Sequence, residues 1–151
     1  MEQKYFEDLN QGDIYNTVGR TITESYITTF AGLSGDFNPI HMDAEFAKKS
    51  FFKKRVAHGI LILSIASGLY TQSEFNLSMN KNVLAMLGLK WRMPKPVFVG
   101  DTVHLQIEII EKKETSKADR GIIVTRRTVI NQHAEIVQEG DVTLMVKRKP
   151  E

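Results

Sequence analysis

The sequence predicts an α+β fold in which one buried helix packs against an antiparallel sheet. The segment from His58 to Phe75 has almost no polar face, so a helix formed there must be surrounded by protein. Downstream, apolar residues alternate along several stretches of chain, as they do in strands with one buried face. Short turns between these stretches favour antiparallel pairing, and a helix covering one face of such a sheet gives the α+β class.

The alternating pattern places the strands of the sheet. They are predicted at Ile14 to Ile22, Val83 to Met93, Val103 to Ile109, Ile122 to Ile130 and Val142 to Val146. Turn-forming residues separate the later strands, at Pro94-Lys95-Pro96 with Gly100-Asp101, at Asp119-Arg120-Gly121 and at Glu139-Gly140-Asp141. No linker, repeat or low-complexity segment indicates a second domain, so residues 1–151 are predicted to form a single one.

Helices are predicted before the long apolar segment. Thr21-Ile22-Thr23-Glu24 matches a capping box, in which two side chains satisfy free N–H groups of the first turn. Apolar residues then recur at helical spacing, which predicts a helix from about Thr23 to Ser34, ending at Gly35. Asp43 is an N-cap candidate for a second, short helix.

The composition excludes several classes of protein. The chain has 151 residues, 42% of them hydrophobic, and a net charge of +2, which is too small to indicate a nucleic-acid partner. It contains no cysteine, so disulfides and thiolate chemistry are excluded. The basic cluster from Lys48 to Arg55 is most simply a solvated face, with contact to an anionic ligand as the alternative.

The sequence gives no indication of a membrane segment. The N-terminus is polar, and the longest apolar run, Ile60 to Tyr70, is too short to span a bilayer. We therefore expect a soluble, cytoplasmic protein with no membrane partner.

The most informative stretch for function is Leu33-Ser34-Gly35-Asp36-Phe37-Asn38-Pro39-Ile40-His41. Pro39 lacks a backbone N–H and disfavours a helical conformation at Asn38, so Asp36 and His41 lie on a bent loop. A carboxylate and an imidazole in one small space can move a proton onto or off a substrate. Taken alone, Asp36 could equally cap a turn, and His41 could be a partly buried loop histidine.

These residues resemble those of the MaoC-like dehydratases, and in particular the (R)-specific enoyl-CoA hydratases. The family pattern is Ser-Gly-Asp-x-Asn-Pro-x-His, then His-Gly at the start of the central helix, then Pro-Val-x-x-Gly-Asp. It occurs here from Ser34 to His41, at His58-Gly59 and from Pro96 to Asp101. The resemblance implies a hot-dog fold, a long central helix wrapped by an antiparallel sheet, in a homodimer or a higher oligomer of dimers that acts on acyl-CoA or acyl carrier protein thioesters.

The resemblance also implies roles for individual residues. Asp36 and His41 are the expected catalytic pair. From the residues themselves, the Asn38 side chain is predicted to bond the local backbone and to orient the pair without touching substrate, and His58 is predicted to be a packing or hydrogen-bonding residue. Gly59, with its N–H at a helix start, is expected to polarise the thioester carbonyl. Ser67 matches the family's serine close to the catalytic carboxylate, on a helix where a buried hydroxyl must find a partner.

The implied reaction is the reversible syn hydration of a trans-2-enoyl-CoA to a (3R)-3-hydroxyacyl-CoA. Conjugation with the thioester already activates the alkene, so no metal and no other cofactor is expected. Two alternatives remain open. One is a hot-dog thioesterase, which usually carries an Asp or Glu on the central helix, whereas none occurs between His58 and Ser73. The other is a non-catalytic acyl-binding module.

Overall fold

The computed structural model describes residues 2–150. After a short 3-10 helix at Phe6–Asp8, the helices are α1 (Glu24–Ser34), α2 (Pro39–Met42), α3 (Ala44–Lys49), α4 (Gly59–Thr71) and α5 (Glu74–Met79). The strands are β1 (Ile14–Asn16), β2 (Arg20–Thr21), β3 (Val83–Arg92), β4 (Thr102–Glu114), β5 (Arg120–Asn131) and β6 (Ile136–Lys147).

All strand pairs are antiparallel and belong to one sheet. The strand order is β1-β4-β5-β6-β3, with β2 also paired to β4. The middle strand, β5, is therefore hydrogen-bonded on both sides, and β3 forms one edge. The sheet packs around the long helix α4, which is the hot-dog arrangement of the α+β class, as the sequence predicts.

The core lies between α4 and the face of the sheet that packs against it. On β4 the alternation is regular: Val103, Leu105, Ile107 and Ile109 are fully buried. Ile62 and Leu69 on α4 are buried against this face together with Phe75 of α5. Burial of such apolar side chains contributes about 1.5–3 kcal/mol each to stability, so this layer fixes the position of α4.

Helix α4 is not surrounded on all sides within one chain, contrary to the sequence prediction. One face of the helix is exposed, and it is formed by Ile60, Ser64, Ser67 and Thr71. These residues follow the i, i+4, i+7, i+11 spacing of a single helix face. The small serines made the helix look buried throughout, although they mark the face that the sheet of the same chain leaves uncovered.

The edge strand β3 also differs from its predicted form. The strand itself is confirmed, but its register against β6 shifts between Val83 and Ala85 and again between Met86 and Gly88. A bulge breaks the two-residue period, so an alternating sequence no longer maps onto one face. Leu87 and Leu89 are 50% and 43% exposed, although the pattern placed them in the core. The neighbouring Met86 is 62% exposed, so both faces of the edge strand are uncovered here.

The predicted turn at Glu139-Gly140-Asp141 is wrong, because these residues lie inside β6. A Cβ atom on Gly140 would overlap the Lys90 carbonyl oxygen and the Trp91 side chain, so this glycine permits the close approach of β3 rather than a turn. The chain instead reverses between β5 and β6 at residues 132–135, where Ala134 adopts a φ of 59°.

The predicted capping box is not formed either. The residue before α1 is Thr23, whose side chain makes no capping hydrogen bond. Thr21 belongs to β2, and its hydroxyl pairs with that of Thr102 at 2.8 Å. Glu24 instead forms an ion pair with Arg55. The second short helix is confirmed, with the Asp43 side chain accepting hydrogen bonds from the N–H groups of Glu45 and Phe46.

No helix within residues 2–150 combines the length and the apolar character needed to cross a membrane.

Candidate active site

The loop that carries the candidate residues begins at a left-handed glycine. Gly35 has a φ of 77° and ends α1, with its N–H donating to the Ala31 carbonyl at 2.8 Å. A residue with a Cβ is strained at this φ, whereas glycine is not. The turn leaves Asp36 exposed at the end of the helix.

Asn38 and Pro39 stiffen the middle of the loop. The Asn38 side chain accepts a hydrogen bond from the Ile40 N–H at 3.3 Å, and Pro39 occupies the first position of α2, where no N–H is required. The Asn38 N–H donates to the Asp36 carboxylate at 3.2 Å. Asn38 therefore contacts the acidic residue through its backbone N–H, while its side chain bonds the local backbone.

His41 is anchored through one ring nitrogen. Its Nδ1 lies 2.7 Å from the Val56 carbonyl oxygen. A carbonyl oxygen only accepts, so Nδ1 carries the proton and Nε2 of the neutral ring has a free lone pair. The half-buried imidazole is thus oriented by the backbone segment that leads into α4.

His58 is the most buried member of the site, with 2% of its surface exposed. Its Nε2 lies 2.9 Å from the carbonyl oxygen of Asp36, and its ring packs 4.9 Å from that of Phe30 on α1. Its Nδ1 has no hydrogen-bond partner within residues 2–150. His58 therefore joins the start of α4 to the loop that carries the carboxylate.

The fold brings Asp36 and His41 together, as the sequence predicts, and places His58 beside them. One nitrogen or oxygen atom from each side chain lies within 4.8 Å of the others. The two imidazole rings have centroids 4.0 Å apart and planes inclined by 33°. Such a spacing is within reach of a cation. The same arrangement can hold a water molecule between a carboxylate and an imidazole, which are the groups that move a proton in general acid–base catalysis.

Gly59 is the first residue of α4, where the N–H has no partner within the helix. Its carbonyl oxygen accepts a hydrogen bond from Gln138 Nε2 at 2.9 Å, and Gln138 Oε1 accepts one from Trp91 Nε1 at 2.8 Å. A Cβ atom on Gly59 would overlap the sulfur atom of Met93. Sequence reasoning missed this support, because a single glutamine in a strand gives no signal of the helix that it contacts.

Ser67 does not lie in a buried environment, which corrects the sequence prediction. It is exposed on α4, about 12 Å further along the helix axis than Gly59. Its hydroxyl needs no protein partner, because water can reach it. Ser67 instead lines a cavity of about 180 Å³ between α4 and the sheet, to which Arg127 also contributes.

Basic residues surround a second cavity beside the site. It has a volume of about 280 Å³ and its lining includes Lys48, Lys53, Lys54 and Phe98. Arg55 connects the cavity to the loop, since it donates to the His41 carbonyl oxygen at 3.4 Å and pairs with Glu24 at 2.7 Å. Hydrogen bonding from Arg55 lowers the pKa of the Glu24 carboxyl group.

Comparison with known proteins identifies the family. Residues 8–131 match the family described as the MaoC like domain, so the chain belongs to the MaoC-like dehydratase family. It is 32% identical over 145 residues to the (R)-specific enoyl-CoA hydratase of Rhodospirillum rubrum, covering 94% of this chain and 91% of that protein. It is 39% identical over 119 residues to Protein MaoC of Klebsiella aerogenes, covering 78% of this chain but only 33% of that longer protein.

Solved structures agree with the fold. An X-ray structure described as the monoamine oxidase regulatory protein of Archaeoglobus fulgidus has a TM-score of 0.92 and 37% identity, covering 99% of this chain and 98% of the other. A Mycobacterium tuberculosis protein with a double hot-dog fold has a TM-score of 0.83 at 21% identity, covering 99% of this chain and 46% of the other, and shares the fold alone. The chain therefore has the hot-dog fold, and its relatives in the family include proteins named (R)-specific enoyl-CoA hydratase and 3-hydroxybutyryl-CoA dehydratase.

Proposed function

We propose that this protein catalyses the reversible hydration of a trans-2-enoyl-CoA to a (3R)-3-hydroxyacyl-CoA. The observation that carries the proposal is the joint placement of the Asp36 carboxylate and the His41 ring at the start of α4. The (R) configuration rests on the similarity to the Rhodospirillum rubrum hydratase.

Hydration requires water to reach Cβ while a proton reaches Cα. Asp36 is an exposed carboxylate, and His41 offers a free Nε2 lone pair because the Val56 carbonyl holds the proton on Nδ1. Both groups can accept a hydrogen bond from one water molecule, and the one that takes its proton leaves hydroxide to attack Cβ. Return of that proton to Cα from the same pair makes the addition syn.

Negative charge develops on the thioester oxygen during this addition. The Gly59 N–H stands at the N-terminus of α4, where the helix dipole supports a partial positive charge. In our proposal this N–H donates to the developing enolate oxygen, as oxyanion-hole donors do. Since the thioester activates the alkene, the proposed reaction uses neither a metal nor another cofactor.

The basic cavity supports coenzyme A as the carrier. Lys53 and Lys54 are exposed, and the Lys54 ammonium group lies 4.0 Å from the centre of the Phe98 ring. Ammonium groups beside an aromatic face can receive phosphates and an adenine ring at the same time. Arg55 lines this cavity and also contacts His41, so a carrier bound in the cavity has the proposed catalytic residues beside it.

We propose further that the protein works as a homodimer formed through the β3 edge. Among the strands of residues 2–150, β3 pairs with β6 and with no other, and Met86, Leu87 and Leu89 expose large apolar surfaces along it. Unpaired edges of this kind are covered or paired in stable proteins. Joining two such edges would also cover the exposed face of α4.

One assay tests the proposal against its alternatives. Crotonyl-CoA is followed for loss of enone absorbance, while release of free thiol is measured in the same sample. A hydratase removes the absorbance without releasing thiol and gives (3R)-3-hydroxybutyryl-CoA on chiral analysis. Thiol release would indicate a thioesterase instead, and no change in either signal would indicate a binding module.

A further inference from the structure

Arg127 occupies a position in the middle of the sheet where an apolar side chain is expected. It lies on β5, the central strand, between the buried residues Thr125 and Val129 that face α4. Only 7% of its surface is exposed. A charged residue on the core-facing side of a central strand is rare unless its charge is paired.

The charge of Arg127 is not paired within residues 2–150. No carboxylate there lies within ion-pair distance of its guanidinium group, and its Nε is buried without a hydrogen-bond partner. The group stacks instead on Tyr70 of α4, with the guanidinium carbon 3.6 Å from the ring centre. Arg126 differs in both respects, since it is exposed and makes two hydrogen bonds to Asp141 at 2.9 Å and 3.0 Å.

The environment of Arg127 disfavours an unpaired charge. Burial lowers its pKa, and burial also raises the pKa of the Tyr70 hydroxyl, so the tyrosine stays neutral and supplies no counter-charge. A cation–π contact offsets only part of the cost of removing a guanidinium group from water. A ligand that carries an anionic group would supply the counter-charge that Arg127 lacks.

Arg127 also faces a space that a ligand can enter. The cavity of about 180 Å³ is lined by Arg127, Ser64, Ser67 and apolar residues that include Leu63 and Leu89. Its α4 residues lie about 6–12 Å along the helix axis from Gly59, the proposed thioester contact. An acyl chain that starts at Gly59 and follows α4 therefore ends beside Arg127.

We propose that Arg127 binds a carboxylate at the far end of the acyl chain, so that the protein prefers ω-carboxylated acyl-CoA thioesters over those ending in a methyl group. The inference rests on the proposed function for the position of the thioester. The planar fork of a guanidinium group matches a carboxylate with two parallel hydrogen bonds, and the guanidinium group of Arg127 is itself buried.

Binding of unreactive, saturated thioesters tests this without requiring catalysis. Calorimetry compares adipoyl-CoA with hexanoyl-CoA, and suberoyl-CoA with octanoyl-CoA, so that each pair differs only in the terminal group. We expect the wild-type protein to bind at least one dicarboxylyl-CoA about tenfold or more tightly than its partner. Equal or weaker binding of both dicarboxylyl thioesters would overturn the proposal.

Arg127→Met removes the charge but retains much of the side chain, and Arg126→Met is the matched control. The preference should be lost in Arg127→Met and retained in Arg126→Met. If Arg127→Met does not fold, the wild-type comparison still decides. Another outcome is that the Arg127→Met variant dissociates into monomers while it keeps the binding preference. That result would show that Arg127 pairs with a carboxylate of a second copy of the chain, and it would overturn the proposal. Inactivity towards both crotonyl-CoA and its ω-carboxylated analogue trans-2,3-didehydroadipoyl-CoA, with a retained binding preference, would instead refute the proposed hydration.

Discussion

His58 Nε2 lies 2.9 Å from the main-chain oxygen of Asp36, so a side chain at the start of α4 holds the backbone of the loop that carries the acidic residue. The same ring packs against Phe30, which joins α1 to the contact. Because a carbonyl oxygen only accepts, Nε2 carries the proton of the neutral ring. We therefore assign His58 a positioning role behind Asp36 rather than a role in proton transfer.

Replacing His58 with Ala should release the Asp36 loop. We expect the free energy of unfolding to fall by about 1–3 kcal/mol, as for other buried hydrogen-bonding groups, and kcat to fall more than KM rises. His58→Gln should recover part of kcat, because its Nε2 can donate to the same carbonyl. Crotonyl-CoA kinetics with a thermal melt test this, and His133→Ala, at an exposed histidine, is the control. Unchanged kcat in a folded His58→Ala variant would refute the positioning role.

Gly59 offers a test that separates steric fit from oxyanion binding. A Cβ atom at this position would overlap Met93 Sδ, which lies at the flexible end of its side chain and can move. We expect Gly59→Ala to lose part of its activity and Gly59→Val to stay folded with kcat reduced by about 10²–10³.

Adding Met93→Ala to either Gly59 variant makes room for the new side chain within the protein. If the loss comes from obstructing the thioester oxygen, the double variants remain impaired, and Met93→Ala alone is close to wild type. Full recovery in the double variants would show that Gly59 serves packing against Met93. A Gly59→Val variant that keeps full activity would remove Gly59 from the mechanism.

The β3 edge predicts a specific route to dissociate the dimer. Leu87→Lys places a charge on the exposed apolar edge, where a second strand would have to pair. Light scattering should change from a dimer mass to a monomer mass, while Val18→Lys, at another exposed apolar residue, should leave the dimer intact. A wild-type protein that is monomeric and fully active would contradict the proposed assembly.

The basic cavity predicts a dependence of KM on charge. Replacing Lys53 and Lys54 with Glu should raise KM for crotonyl-CoA about tenfold or more with little change in kcat, because the carrier contributes binding and no chemistry. The wild-type KM should also rise with ionic strength. The variant with both Lys113→Glu and Lys117→Glu controls for net charge, because these lysines lie at the end of β4 and in the following turn and do not line the basic cavity. An unchanged KM in the Lys53 and Lys54 variant would exclude this cavity as the carrier site.

The sequence predicted the elements and the site cluster where the local signal was strong. The regular alternation on β4 and the non-helical backbone at Asn38 are properties of neighbouring residues, and both have the predicted form. The prediction that His41 lies on a loop is wrong, because Pro39 begins the short helix α2 and His41 belongs to it.

The turn predicted at Gly140 was wrong because the sequence does not distinguish a glycine that allows two strands to approach closely from a glycine that forms a turn. The exposure of Ser67 and the burial of Arg127 depend on which face the sheet covers, and this is decided by contacts between distant segments.

The most direct test of the account is the initial rate of crotonyl-CoA hydration in wild-type protein, Asp36→Asn and His41→Ala. Wild-type protein should hydrate the thioester without releasing thiol, and each variant should be slower by about 10²–10⁴ while keeping the wild-type melt. The double variant should be little slower than the single ones, because both residues act on one water molecule. Wild-type turnover in either folded single variant would contradict the account.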